Sequence, residues 1–443
     1  MASSGMAQTG PGAANLVDLR NRILFVVGAL VVFRIGSHIP IAGIDTAILR
    51  SEFEQSAGGL LNLLNFFSGG SISRLSVLTL GIIPYITASI IMNLATYSFP
   101  YLEQLKKEGT AGRRKLTSYT RIGTVLLAAI QAYILAISLE RLPGGLVIEP
   151  GLLFKVTTVV MIVAGTVFLM WLGEQITERG IGNGISILIF ASIVSGLPAA
   201  FAELAGQVQA GSINPLTAML ITVISLTLIA GVVFIERGQR RIPLNYAKRQ
   251  VGNRLMGGQR SHLPLKVNMA GVMPAIFAYA IVFFPTQIVL LSADGGSETL
   301  RDVSTVLSRG QPMYLLMLAA ILVFFTYFYT SLVHNPRETA DLLRRSGAFV
   351  PGIRPGEQTA RYLGKVVMRL TLAASCYISF VCLLPELMVF RFAGSLTNFV
   401  IAFGGTSLLI MVVVAMDFME QVQHYMVSQQ YGSLLKNMPG SGK

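Results

Sequence analysis

GGLLNLLNFFSGGSISRLSVLTLGIIPYITASIIMNLATYSFP, residues Gly58 to Pro100, is apolar almost throughout, yet Ser68-Gly69-Gly70-Ser71 divides it into a short front piece, Leu60 to Phe67, and a long back piece, Leu75 to Ser98. A bilayer core of about 30 Å takes roughly 20 helical residues to cross. Only the back piece is long enough. The front piece reaches about 12 Å as a helix, so it has to lie at an interface or dip into a cavity walled by protein, because unpaired backbone groups are not tolerated against lipid. A half-span joined by a glycine hinge to a full span is what a working site in a membrane protein looks like.

Composition sets the class. Of 443 residues, 53% are hydrophobic and 12% charged, too apolar a mixture for a water-soluble chain of this size, so this is a polytopic membrane protein. Residues 1–19 are small and polar, with no basic stretch ahead of a short apolar core. No cleavable signal peptide is expected, and the first span serves as the insertion signal. Ten apolar runs are bounded by charge or by Gly/Pro clusters: 23–42, 75–98, 117–139, 153–173, 184–203, 214–235, 269–291, 312–334, 366–385 and 398–418.

With the N-terminus inside, 26 Lys and Arg fall on the inner side and 7 on the outer, with Arg34 standing inside a span. That imbalance predicts both termini in the cytoplasm. Acidic residues divide 11 to 10, which leaves the inner face near +15 and attractive to polyanions. Loop 99–122 needs no purpose beyond enforcing topology. Loops 236–268 and 335–369 are longer than orientation requires and ask for a partner. Ten spans split into halves of five, 1–200 and 201–443, with a seam from Pro198 to Pro215. Five is odd, so the halves would be inverted, the arrangement that forms sites between repeats near the midplane.

Pumps and ion-coupled transporters keep Asp, Glu or His within their spans. Here the one central charge is Arg34, whose simplest role is snorkelling or a satisfied pair with a neighbouring helix, and no carboxylate falls at mid-depth. The terminal Gly-Ser-Gly-Lys lacks the Ser/Thr and the helix of a phosphate-binding loop. His38, His262, His334 and His424 show no ligand spacing, and Cys376 and Cys382 lie about 120° apart around one helix. Neither cofactor, metal site nor hydrolase follows. The spans hold instead two stiff pairs, Ile82 with Ile86 around Pro84, and Ile185 with Ile189 just after the glycines of ERGIGNGIS. Each pair sets two aliphatic groups one turn apart on one face. Gly180, Gly182 and Gly184 read as close-packing devices, and Asn93 and Gln131 as structural hydrogen-bonding groups.

The polar loops carry a specific resemblance. SGGSISRLSVLTLGIIPYITASIIMNL, KKEGTAGRRKLTSYTRIGT, MWLGEQITERGIGNGISILIF, ERGQRRIPLNYAKRQVG, SHLPLKVNMAGVMPAIFA, NPRETADLLRRSGAFVPGIRPGEQTARYLGKV and FGGTSLLIMVVVAMDFMEQV follow the order found in the SecY family, and the chain resembles it over residues 16–435. The resemblance implies an all-α membrane fold of ten transmembrane helices in two pseudo-symmetric inverted halves, with a short re-entrant plug helix. It also implies a protein-conducting channel rather than an enzyme, with ATP hydrolysis left to a partner motor.

Carried over residue by residue, the family's plug falls on Leu60, Leu61, Leu63, Leu64, Phe66 and Phe67, hinged at Gly69 and Gly70. Its pore ring falls on Ile82, Ile86, Ile185, Ile189, Ile276 and Ile410, and its lateral gate between spans two and three and spans seven and eight. Its critical loop arginine falls on Arg354, and Arg240, Arg241, Lys248 and Arg249 are further docking candidates. The partners implied are SecE and SecG subunits, the SecA motor, the ribosome through its RNA, unfolded preproteins with their signal peptides, and membrane lipids. The implied location is the bacterial plasma (inner) membrane. A small-solute transporter would need coupling carboxylates and have no use for two long basic loops. A purely structural scaffold would not explain the half-span and its hinge.

Overall fold

The computed structural model describes residues 11–45, 68–141, 145–246, 249–251, 254–256, 260–292, 311–391 and 404–436. The expected plug residues and Lys248 lie outside the described residues. Two compact units emerge, residues 1–202 with 414–443, and residues 203–413. In the first, α1 (Pro11–Gly36), α2 (Ile83–Ser98), the short α3 (Pro100–Lys107), α4 (Thr110–Arg141), α5 (Leu152–Arg179) and α6 (Gly184–Gln209) follow one another, α6 ending in the second unit.

The pairing of α4 with α5 shows how residue choice builds these helices. Ala128, Ala132 and Ala136 are fully buried at four-residue spacing, a small-residue stripe that lets backbones approach. Ala132 and Ala136 pack in a core with Ile41, Leu75, Leu139, Leu146, Phe154 and Ile162. Ion pairs close the hairpin at both ends. Arg121 grips Glu174 with two hydrogen bonds of 2.9 and 2.8 Å, and Lys155 meets Glu140 at 2.9 Å.

The second unit begins with α7 (Pro215–Glu236), started by an Asn214 side chain that accepts from the Leu216 amide and by Pro215 in the first turn. Strands β1 (Gln239–Tyr246), β2 (Arg249–Val251), β3 (Arg254–Met256) and β4 (Arg260–Lys266) come next, then α8 (Met273–Ser292), α9 (Pro312–Val333) and α10 (Pro336–Arg345). Strand β5 (Ala348–Phe349), α11 (Glu357–Arg391) and α12 (Gly405–Lys436) complete the chain, α12 continuing into the first unit from Val414. α10 repeats the Asn-Pro start, with Asn335 accepting from the Arg337 amide.

Each of the ten apolar runs falls on one of α1, α2, α4 to α9, α11 and α12. Among the described residues, seven helical stretches are long and apolar enough to cross a membrane. The membrane architecture is all-α. One expectation is corrected. The back piece, 75–98, is not a helix throughout, because helix begins only at Ile83 and residues 68–82 form turns. Leu75 and Gly81 adopt positive φ, and short side chains take backbone bonds that a helix would need. Thr79 Oγ1 donates to the Ser76 carbonyl, and the Leu78 amide donates to Ser76 Oγ. The segment docks on residues 39–41 instead, through Ile41 N to Leu75 O at 2.9 Å and Val77 N to Ile39 O at 2.9 Å. Irregular backbone in such a protein needs walls, and Ile72, Leu75 and Leu78 are buried.

Candidate functional site

The glycine hinge is held by serines and one arginine. Gly69 and Gly70 have φ of +68° and +81°, the left-handed region where glycine alone is unstrained. A Cβ on Gly69 would sit 3.0 Å from Ser195 Oγ and 3.3 Å from Ser192 Cα, so the hinge backbone lies directly against α6. Ser71 Oγ donates to the Ser68 carbonyl at 2.8 Å, and Ser73 Oγ to that of Gly70 at 3.0 Å. Arg34, in the last turn of α1, donates through Nη1 to the Gly69 carbonyl at 2.9 Å and to Ser195 Oγ at 3.1 Å. The sequence pointed to snorkelling or a satisfied pair with a neighbouring helix for Arg34. It is satisfied by a neighbouring helix, through Ser195, and by the hinge as well.

One isoleucine pair opens the helix that follows the hinge, and the other lies on α6. Ile82 caps α2, and the Ile86 amide donates to the Ile82 carbonyl at 3.1 Å, so the two are one turn apart, Ile82 buried and Ile86 half-buried. Ile185 and Ile189 occupy the first turns of α6, which starts where Asn183 Oδ1 accepts from the Ile185 amide at 3.1 Å. The preceding turn is close-packed. A Cβ on Gly184 would lie 1.9 Å from the Gly173 carbonyl, which bears out a packing role for that glycine. Ile185 reaches into the notch left by Gly173, its Cγ1 3.2 Å from where a Cβ would be, while Ile189 is buried.

In the second unit, Ile276 is half-buried in the first turn of α8, and Ile410 is buried in the first turns of α12. The start of α12 presses on α11, since a Cβ on Gly405 would come within 2.3 Å of Cys382 Cα.

The basic loops of this unit form one module. β1 pairs antiparallel with β4 over Gln239 to Asn245, and its far end pairs with β5 through Asn245 opposite Phe349 and Tyr246 opposite Ala348. Ile242, Leu244, Leu265, Ala340, Val350, Ala360, Leu363 and Val366 make a shared core beneath the sheet. Two loops about a hundred residues apart in sequence thus become one platform. Arg240 and Arg241 are exposed on β1, and Arg249 belongs to β2. Arg354 is exposed on the turn between β5 and α11, flanked by Pro351 and Pro355. Thr359 Oγ1 donates to the Arg354 carbonyl at 2.9 Å, and Gly352 and Gly356 take positive φ on either side.

A buried polar group roots the platform. Glu236, ending α7, accepts from Asn268 Nδ2 at 2.7 Å and from the Tyr377 hydroxyl of α11 at 3.3 Å. Asn268 also brackets the turn into α8 by bonding both the amide and the carbonyl of Gly271. This acid, and the buried Glu386 inside α11, lay just past the expected spans. Their signal was present as an acidic residue abutting an apolar run, but Glu236 is enclosed by Asn268 and Tyr377, and Glu386 is buried where α11 runs on to Arg391. In the first unit, Asp18 plays a comparable part on the surface. A hydrogen bond from Tyr425, aided by Arg22, holds its carboxyl below the usual carboxylate range, and Arg22 lies over the Tyr425 ring.

Comparison with known proteins adds identity to this geometry. The sequence pattern described as SecY matches residues 76–419. The protein translocase subunit SecY of Escherichia coli K12 is 56% identical over 433 residues, covering 97% of each chain. A solved protein-conducting channel superposes with a TM-score of 0.68 at 18% identity, covering 98% of this chain and 97% of its own. A SecY whose plug domain is described as stabilising the closed state of the translocation channel and maintaining a membrane seal gives the same values. Sec61 in the canine ribosome–channel complex from the endoplasmic reticulum reaches 0.64 at 16% identity, with 98% and 97% covered.

Proposed function

The chain belongs to the SecY family, and on that premise we propose that it is the channel subunit of a protein translocase. It passes unfolded, signal-bearing preproteins across a bacterial plasma membrane and releases hydrophobic segments sideways into lipid. The observation that carries this reading is 56% identity to a translocase subunit over 97% of the chain.

The proposed ring consists of Ile82, Ile86, Ile185, Ile189, Ile276 and Ile410. Aliphatic groups offer an ion no ligand, and an empty ring of them dewets, so side chains of every size can pass without a standing leak. Isoleucine yields by rotating, with no hydrogen bond to break. Residues 60–67 serve as the stopper, swinging on Gly69 and Gly70. Apolar passenger segments partition into lipid between gate helices, driven by transfer of their surface from water.

Both termini face the cytoplasm, as the distribution of Lys and Arg supports. The sheet-based platform then meets whatever supplies the chain. Arg354, Arg240, Arg241, Lys248 and Arg249 suit ribosomal RNA phosphates and acidic surfaces of the SecA motor. Two prolines stiffen the Arg354 turn and present its guanidinium at low entropic cost. SecE and SecG are the companion subunits, and ATP hydrolysis belongs to the motor.

Reconstitution tests the whole. Vesicles holding this chain with its two small subunits, given motor and ATP, take up a signal-bearing preprotein into a protease-protected space. No protected product under those conditions would overturn the channel reading.

A further inference from the structure

The carbonyls of the hinge are shared out unequally. Those of Ser68 and Gly70 receive serine hydroxyls from within the segment, and that of Ser71 receives the Ser76 amide at 2.9 Å. The Gly69 carbonyl receives Arg34, from a helix 35 positions earlier in the chain. The same Nη1 also donates to Ser195 Oγ, which in turn donates to the Ser192 carbonyl at 2.7 Å. One nitrogen thus joins α1, the hinge and α6. Arg34 is itself held in place, its own carbonyl accepting from Ser37 Oγ at 2.7 Å.

The other guanidinium at the hinge does not duplicate this role. Arg74 Nη1 lies 3.5 Å from where a Gly70 Cβ would be, and it is buried without a hydrogen-bond partner among the described residues. A transmembrane helix gains nothing from a charge placed merely to pack. A charge-assisted bond to a carbonyl at a two-glycine turn, by contrast, selects one of the many conformations those glycines permit.

We propose that Arg34 is the latch of the resting channel, a positioning residue that pins the Gly69–Gly70 hinge to α6. The inference rests on reading residues 60–67 as the stopper. α6 also carries Ile185 and Ile189, so a shift of α6 away from α1 draws Ser195 off Arg34 and parts α6 from the Gly69 hinge. Widening of the ring and release of the stopper become one event. The latch needs a long cationic side chain, because one nitrogen must reach two acceptors on two elements.

The test uses the reconstituted complex, with resting ion conductance and preprotein uptake both recorded. Arg34→Ala is expected to raise resting conductance roughly ten- to hundredfold, the factor that loss of a hydrogen bond to a charged group represents. Ser195→Ala, which spares the Gly69 bond, is expected to give a smaller rise. In a background lacking Cys376 and Cys382, Gly69→Cys with Ser195→Cys places two sulfurs within bonding reach. Oxidation of that pair is expected to reseal Arg34→Ala and to block uptake in the Arg34 parent, and reductant to reverse both. A merely structural loss at Arg34 would not be rescued by that bond.

Conductance of Arg34→Ala equal to that of the parent, while a variant lacking residues 60–67 leaks, would overturn the latch and leave the stopper standing. A sealed deletion variant would remove the stopper and the latch with it. Should Arg34→Ala fail to assemble, the crosslinked pair alone decides, since full oxidation with undiminished uptake contradicts a hinge that must leave α6.

Discussion

Two arginines, Arg34 in the first unit and Arg354 in the second, mark opposite ways of using the same side chain. Arg34 is half-buried and spends its donors inside the protein, on the hinge carbonyl and a serine of α6. Arg354 is exposed on a turn that fixes its backbone by Thr359 and two prolines, and its guanidinium points to no acceptor among the described residues. The first arginine closes a structure, and the second is held out for something else. The number of internal acceptors, more than the residue type, tells the two apart.

Arg354→Glu would strike hardest at that contrast. Motor-driven uptake should fall about a hundredfold or more, the range for reversing one member of a desolvated charge contact, while thermal stability in detergent stays unchanged. Uptake at the parent rate would remove Arg354 from docking. Leu244→Ala asks whether the platform beneath it matters. Loss of this buried side chain should cost about 2–5 kcal/mol, seen as faster protease cleavage within 239–266 and 335–356 with the spans intact. Equal cleavage rates would show that the shared core does not hold the loops.

On the buried side, Ile86→Asn and Ile189→Gly should raise resting conductance several-fold, and an unchanged conductance would take those side chains out of the seal. The smallest effect is expected at Tyr377→Phe, where one hydrogen bond worth about 1 kcal/mol is lost and Glu236 keeps Asn268. Chemical denaturation of the purified complex would measure it. A cost of several kcal/mol would mean that Glu236 depends on Tyr377 far more than their 3.3 Å contact implies.

The ten spans were legible because lipid enforces one rule on every crossing segment, and runs of about 20 apolar residues obey it. The Ile82–Ile86 spacing was legible too, since a four-residue step means one helical face. Residues 75–82 misled for a related reason. Their hydropathy reports burial, which is correct for Leu75 and Leu78, but burial alone does not distinguish a helix from turns walled by protein. The hydroxyls of Ser76 and Thr79 and the backbone of Gly81 decide that, through local hydrogen bonds and a positive φ.

By itself the sequence determined the membrane class, the number of spans, the family and the glycine pair at Gly69 and Gly70, all properties of local composition and order. Tertiary structure alone decided that loops 239–266 and 335–356 are one platform, that Glu236 roots it, and that Arg34 reaches the Gly69 carbonyl. These contacts join residues tens to a hundred positions apart. Such pairings depend on how packed helices place their ends in space, and no period in the chain encodes that.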